Sequence, residues 1–388
     1  MKKEEIEKII CQIPVVDGHC HPFNPDNEGS FDFRLDFNLY HGGANKKLVE
    51  NTLFSQKLIE ELGKLMGFSP DVEADEIINE RYNLYKKSPA EYISKLFNNA
   101  LFDFLILDTG YPHIEFGVES VDIEDFKRII PCGAVEIFRI EPLIYKIFED
   151  KKFSFEESID FFNANIVEAV KTKKVIGLKT VIAYETGLDI GITSWKEVEK
   201  AYKRFFSYRN KEDEKIIRDY FVVLSLKKCY EFNIPMQIHT GMGSVPTLDL
   251  EKANPLLMMN FLDRKEIRDV KIVLTHAGHP FEQETGMLAG SFKNVYCDVS
   301  AISSYFGAGA LKTAFLKLFE LAPIDKIIFG TDGGIIPETY WSGAVFGKKD
   351  LAHALKEMVD SGWIAISKVE KFATMILREN ACNLYKIN

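Results

Sequence analysis

The feature that most constrains this chain is a repeated alternation of short, β-rich apolar runs with longer amphipathic stretches. The runs are Ile13–Asp17, Phe104–Asp108, Ala134–Ile140, Val175–Thr180, Pro235–His239, Lys271–His276, Val295–Ser300 and Lys326–Asp332. Helical spacing recurs between them. In Phe155–Lys171 the apolar residues Phe155, Ile159, Phe162, Ile166 and Val170 follow at steps of three or four, and Ser154 with Glu157 forms a capping-box signature. Lys215–Phe232, Leu311–Leu321 and Asp350–Asp360 read the same way. Alternating strands and helices make βα units, and βα units make a parallel sheet. Eight of them favour an α/β fold of the closed (β/α)8 TIM-barrel type over an open doubly wound sheet. The open sheet also lacks its usual phosphate-binding motif after the first strand. The nearest pattern, Gly241-Met-Gly243, has no later glycine.

The alternation lapses once. Residues 22–100 contain a polar loop, 22–43, and then helical patterns at Leu48–Met66, Ala74–Lys86 and Ala90–Asn99, with no strand. A segment inserted after a strand's C-terminal end lies on the side of a barrel where ligands bind. Residues 22–100 are therefore expected to form a helical cap that shapes the pocket. On this reading, residues 1–388 form a single barrel domain, and the cap accounts for most of the excess over the roughly 250 residues of a simple barrel.

Charge narrows the partners. Lys and Arg number 48 against 58 Asp and Glu, a formal net charge of −10, which opposes binding to a nucleic-acid backbone. No apolar run reaches the roughly 18 residues needed to span a membrane. The charged start, Met1–Lys8, lacks a signal peptide's apolar stretch. Cysteines 11, 20, 132, 229, 297 and 382 are dispersed and form no C-x-x-C pair, as expected of reduced thiols in a cytoplasm. The expected partner is a small-molecule substrate, with no nucleic acid and no membrane, and with self-association into a homo-oligomer left open.

Four of the eight histidines fall at strand ends. His19 and His21 follow Pro14-Val-Val-Asp-Gly18, His239 ends the fifth run and His276 the sixth. Side chains two apart on a strand share a face, so His19 and His21 form a two-nitrogen clamp suited to a divalent metal. Lys179 lies near the end of the fourth run and Asp332 ends the eighth. A barrel gathers such ends into one ring, where an ordinary core has no use for polar groups. His19, His21, Lys179, His239, His276 and Asp332 are accordingly read as a metal site. His41, His113 and His353 read as surface or loop residues, and His279 as a support for the loop after His276.

This set resembles the amidohydrolase superfamily. Gly177–Leu188, His239-Thr-Gly-Met-Gly243, Asn254-Pro255, and Phe329-Gly-Thr-Asp-Gly-Gly334 followed by Pro337-Glu-Thr-Tyr-Trp-Ser-Gly343 are similar to its amidohydrolase-2 branch. Within that branch they resemble the N-terminal amidohydrolase domain of FluG-type proteins, which there precedes a glutamine-synthetase-like domain. The resemblance implies that His19, His21, His239 and Asp332 hold a Zn2+-like ion, with manganese or iron as other options. It also implies that the ion makes hydroxide available and that Asp332 is the general base and acid. In two-metal relatives the lysine matching Lys179 is carbamylated and bridges the ions, and the histidine matching His276 binds the second. In one-metal relatives that histidine contacts water or substrate. The complete set of strand-end residues favours two ions here.

The implied reaction is hydrolysis of an amide-type bond in a small, carboxylated substrate, such as a γ-glutamyl compound. Decarboxylation or uronate isomerisation on the same barrel is the alternative. A non-catalytic metal-binding barrel would show a broken ligand set, and this set is intact. For substrate contact the candidates are Arg139, Glu141, Tyr184 and Trp341, with Tyr340 beside them at the mouth. Arg139 either grips a substrate carboxylate in a bidentate fork or pairs with Glu141 to brace the rim. Asp108, Thr109 and Gly110 are expected at the pocket floor.

Overall fold

The computed structural model describes residues 2–26, 29–37, 45–110, 121, 123–149, 153–244 and 247–387. Its strands are β1 (Val15–Cys20), β2 (Phe102–Asp108), β3 (Gly133–Arg139), β4 (Gly177–Thr180), β5 (Met236–His239), β6 (Ile272–Thr275), β7 (Val295–Asp298) and β8 (Ile327–Ile328). They follow one another in sheet order, and each neighbouring pair is parallel. Backbone bonds join the two edges: Gly18 N–H to the Phe329 carbonyl (2.8 Å), Asp332 N–H to the His19 carbonyl (2.8 Å) and His21 N–H to the Gly333 carbonyl (2.7 Å). The sheet thus closes into a (β/α)8 barrel, as the alternation predicted.

Inward-facing β-branched side chains fill the barrel. Val16, Ile106, Ile137, Val273 and Ile328 are buried together, with Leu384 and Tyr385 of the C-terminal helix Asn380–Tyr385 in the same cluster. Gln237 ties that helix to the barrel by donating to the Gly18 carbonyl (2.8 Å) and the Tyr385 hydroxyl (2.7 Å).

The ends of the sheet correct two sequence boundaries. β1 continues to Cys20, so His19 stands on the strand itself. β8 is only Ile327–Ile328, because the Phe329 N–H turns to the Ile376 carbonyl (3.0 Å) and Asp332 takes a left-handed conformation at φ 58°. Asp332 therefore sits on a turn beyond the strand. The helix Phe155–Lys171 forms with its Ser154–Glu157 capping box. Asp350–Asp360 is the last part of a longer helix, Pro337–Asp360.

The insertion forms helices at Lys46–Glu50, Leu53–Met66, Ala74–Lys87 and Pro89–Ala100. Its polar anchors lie on Pro337–Asp360. Arg81, fully buried, meets Glu338 through Nε–Oε1 at 2.6 Å and Nη2–Oε2 at 3.1 Å, and the Tyr92 hydroxyl donates to the same carboxylate at 2.7 Å. Lys348 donates to the Ala100 carbonyl at 2.8 Å. All six cysteines are free. No helix among the described residues is long and apolar enough to cross a membrane.

Candidate metal centre

The strand-end residues converge on a cavity of about 340 Å³, within the size range of small-molecule sites. His19, His21, Lys179, His239, His276 and Asp332 all line it. Asp332 Oδ1 lies 3.2 Å from His19 Nε2 and 3.2 Å from His21 Nε2, and these three residues form a group able to hold an ion. His239 Nδ1 and His276 Nε2 lie 3.1 Å apart. Lys179 Nζ is 3.4 Å from His19 Nε2 and donates to the Thr275 hydroxyl at 3.1 Å. Register explains part of this meeting: Arg139 is opposite Lys179, and His239 is opposite Thr275.

Hydrogen bonds behind the rings assign their protons. His239 Nε2 is 2.9 Å from the Met242 carbonyl, which can only accept, so Nε2 carries the proton and Nδ1 the lone pair. His276 Nδ1 is 2.9 Å from Ser300 Oγ. The Ser300 hydroxyl is directed at Asp298 Oδ1, which also accepts the Ser300 N–H at 3.0 Å. Ser300 therefore accepts from His276 Nδ1–H, leaving Nε2 unprotonated. His21 Nδ1 donates to the Asp108 carbonyl at 3.0 Å, and its Nε2 faces Asp332 Oδ1. Burial lowers the pKa of His276 to about 4 and that of His239 well below its ordinary value. Two lone pairs facing at 3.1 Å repel unless a cation lies against both. The donor set therefore fits divalent metal ions, with His21, His239 and His276 each held by an outer hydrogen bond.

Charge follows the same pattern. Burial would raise the Asp332 carboxyl, but His276, His19 and His21 outweigh it and hold it well below the usual carboxylate range. Burial lowers the Lys179 ammonium to about 8. Asp17, beneath the site, accepts from the Thr331 N–H (2.9 Å), the Thr331 hydroxyl and the His19 N–H (3.2 Å), and so steadies both the strand and the turn that carry ligands. The glycines of Gly241-Met-Gly243 are there for close packing. A Cβ at Gly241, which has φ 67°, would stand 2.2 Å from the Gly278 carbonyl carbon, and one at Gly243 would stand 2.0 Å from Tyr184 Oη. That tight turn brings the Met242 carbonyl onto His239.

The substrate candidates divide. Arg139, Glu141 and Tyr184 line the cavity, with the Tyr184 ring 4.7 Å from that of His239. Trp341 does not line it: the residue is buried in the core and donates from Nε1 to Asn99 Oδ1 at 2.8 Å. Tyr340 is likewise buried and donates to the His21 carbonyl. Arg139 closes on Asp108 through Nε (3.0 Å) and Nη2, and the Glu141 carboxylate turns to Thr180 and Val181. Gly110 lines the cavity, as expected of the segment after β2.

Among the described residues of 22–100, which leave out 27–28 and 38–44, none lines the cavity. The rim comes from Tyr145, Glu185, Ser244, Thr247 and Tyr305, which follow β3, β4, β5 and β7. Tyr145 donates to Glu185, whose other oxygen meets Arg218 at 2.9 Å. His279 bonds to Glu282, and half-exposed His353 lies 3.3 Å from Glu7, both outside the ring. His41 and His113 lie outside the described residues. Sequence reasoning passed over Ser300 and Asp298. The available signal was a D-x-S pair at the end of β7, the counterpart of the polar ends of β1, β4, β5 and β6.

The chain is similar to several known proteins. The chain is 28% identical over 239 residues to the protein fluG of Emericella nidulans, a match covering 58% of this chain and 27% of that one. The match therefore spans about a quarter of that relative's length. A protein of Lactobacillus casei ATCC 334 with the provisional description of metal-dependent hydrolase has the same fold, with a TM-score of 0.81, 22% identity, and coverage of 98% of this chain and 97% of the other. A uronate isomerase from Thermotoga maritima aligns with a TM-score of 0.70 and 14% identity, covering 99% and 97%. The family model described as Amidohydrolase matches residues 166–387, more than half of the chain, including Lys179, His239, His276 and Asp332. The chain belongs to the amidohydrolase family.

Proposed function

We propose that the protein is a metal-dependent hydrolase that cleaves an amide-type bond in a small substrate. The observation that carries this reading is the facing pair of unprotonated nitrogens, His239 Nδ1 and His276 Nε2, whose protons are committed to Met242 and Ser300. His19, His21 and Asp332 would hold one divalent ion, with Zn2+ the best match to these donors, and His239 and His276 a second. Lys179 would join the two as a carbamate. With its pKa near 8, part of its amine is neutral at neutral pH, and a neutral amine adds CO2 with loss of one proton.

When bound, such ions polarise a carbonyl and lower the pKa of a water. The chain does the rest. Asp332, held ionised, accepts the proton from the attacking water and delivers it to the leaving nitrogen. His276 stays neutral and fixed in orientation by Ser300. Tyr184, packed on His239, closes one wall of the cavity. A carboxylate on the substrate has less support than the amide bond, because Nε and Nη2 of Arg139 are already bonded to Asp108.

The test is turnover by metal-loaded protein on a panel of amides, uronates and aromatic carboxylates. Release of ammonia or an amine supports the proposal. Formation of CO2 or of an isomerised sugar acid, without amide cleavage, overturns it.

A further inference from the structure

We propose that Glu141 receives a cationic nitrogen of the substrate, so that the molecules bound here carry an ammonium group. The inference deepens the amide-hydrolase reading by naming a substrate class, and it rests on that reading only for the bond broken. Glu141 begins the helix Glu141–Glu149 just beyond β3, lines the cavity and is 2% exposed. Its Oε1 accepts from the Thr180 hydroxyl at 2.5 Å and the Val181 N–H at 2.8 Å. Its Oε2 is buried and has no hydrogen-bond partner among the described residues. A buried carboxylate oxygen without a donor carries an uncompensated desolvation cost, and a ligand that brings the donor removes it.

The neighbouring cations donate to other acceptors, although Arg139 acts on Glu141 through its charge. Arg139 turns Nε and Nη2 to Asp108, and Lys179 donates to Thr275. Of the other cavity-lining carboxylates, Glu185 is paired with Arg218 and Asp332 lies against the ring histidines. Arg139 and Asp108 cancel in charge, so Glu141 leaves this wall negative. An ammonium suits it, because it brings both the opposite charge and up to three donors on a compact centre. Burial raises the Glu141 carboxyl above its ordinary range, and a cation alongside favours the ionised form. The sequence offered Arg139 as a grip for a carboxylate or as a partner of Glu141; the geometry points to Glu141 as a grip for the opposite charge.

The test uses the metal-loaded full chain and two pairs of ligands with no bond to hydrolyse: glutamate against glutarate, and alanine against propionate. Binding is measured by titration calorimetry. Each amino acid is expected to bind about tenfold or more tightly than its desamino partner, the scale of a charge-assisted hydrogen bond. In E141Q the amide oxygen still accepts from Thr180 and Val181 while the NH2 replaces Oε2. This variant should lose the preference, with melting temperature and metal content unchanged. A structural role alone would weaken both members of a pair alike. Equal binding within the pairs, no binding, or a preference that survives in E141Q overturns the proposal. Turnover plays no part in this measurement. A protein that prefers the amino ligands yet cleaves no amide would refute the hydrolase reading and leave this inference standing.

Discussion

His239 Nδ1 faces His276 Nε2 across 3.1 Å, and neither nitrogen holds a proton in the hydrogen-bond network. The two rings end or follow adjacent strands, β5 and β6, and each is fixed from behind by a different group. For His239 that group is a backbone carbonyl, and for His276 it is a serine hydroxyl anchored by a buried aspartate. The arrangement costs free energy until a cation lies against both nitrogens, and from this follows the reading of the ring as a metal centre.

Ser300 is the clearest test of that logic. Ser300→Ala removes the acceptor of the His276 Nδ1 proton and frees the ring to change tautomer. Metal affinity measured by chelator competition should fall about 10–100-fold, the usual effect of losing an outer partner of a ligating histidine. Far-UV circular dichroism should be unchanged. Unaltered affinity would remove Ser300 from the account.

Asp332 should behave as a proton-transfer group. Asp332→Asn keeps the side chain's shape but not its basicity, and kcat on a cleaved amide should fall by about 10²–10⁴-fold. Activity within threefold of the parent would assign proton transfer to another residue.

Stability of the insertion should depend on one ion pair. Arg81 and Glu338 are both fully buried, and Tyr92 adds a third member to the cluster. Arg81→Met leaves Glu338 charged and unpaired in the interior, at a cost of about 3–5 kcal/mol. Urea unfolding should report that loss with metal content unchanged. A loss below about 1 kcal/mol would mean that Glu338 finds another partner or a proton.

Acid should weaken a second contact. Burial would raise the Glu282 carboxyl, but the bonds from His279 and from Lys317 at 3.0 Å outweigh it and hold the pKa at about 2. The unfolded value is about 4.3, so the folded state binds this proton less readily. The stabilisation is complete above the unfolded value and is lost as pH falls from there towards 2. Glu282→Gln should therefore lower the urea midpoint at pH 7, and the gap from the parent should narrow as the medium is acidified through that window. A gap that stays constant would contradict the assignment.

Much of this centre was legible in the sequence because a parallel barrel writes its site in one place per strand. Apolar runs ending in His, Lys or Asp marked six ring residues, and all six line the cavity. What sequence spacing misplaced depends on three-dimensional register. Arg139 lies two residues from Glu141, yet it pairs with Asp108 on the adjacent strand, where Asp108 is opposite Ile137. Trp341 belongs to a motif beside the site, but the helical period turns it into the core towards Asn99. Residues 22–100 follow β1, and connectivity alone suggested a lid. A buried Arg81–Glu338 pair, 257 residues apart in the chain, fastens the described helices of that segment to Pro337–Asp360.

The proposal to test first is that this ring would hold two divalent ions with Lys179 carbamylated. It is tested most directly by metal stoichiometry, measured by plasma mass spectrometry after reconstitution with Zn2+ in the presence and absence of bicarbonate. The account predicts two ions per chain with bicarbonate, and fewer without it or in Lys179→Met. One ion per chain, independent of bicarbonate and unchanged in Lys179→Met, would contradict it.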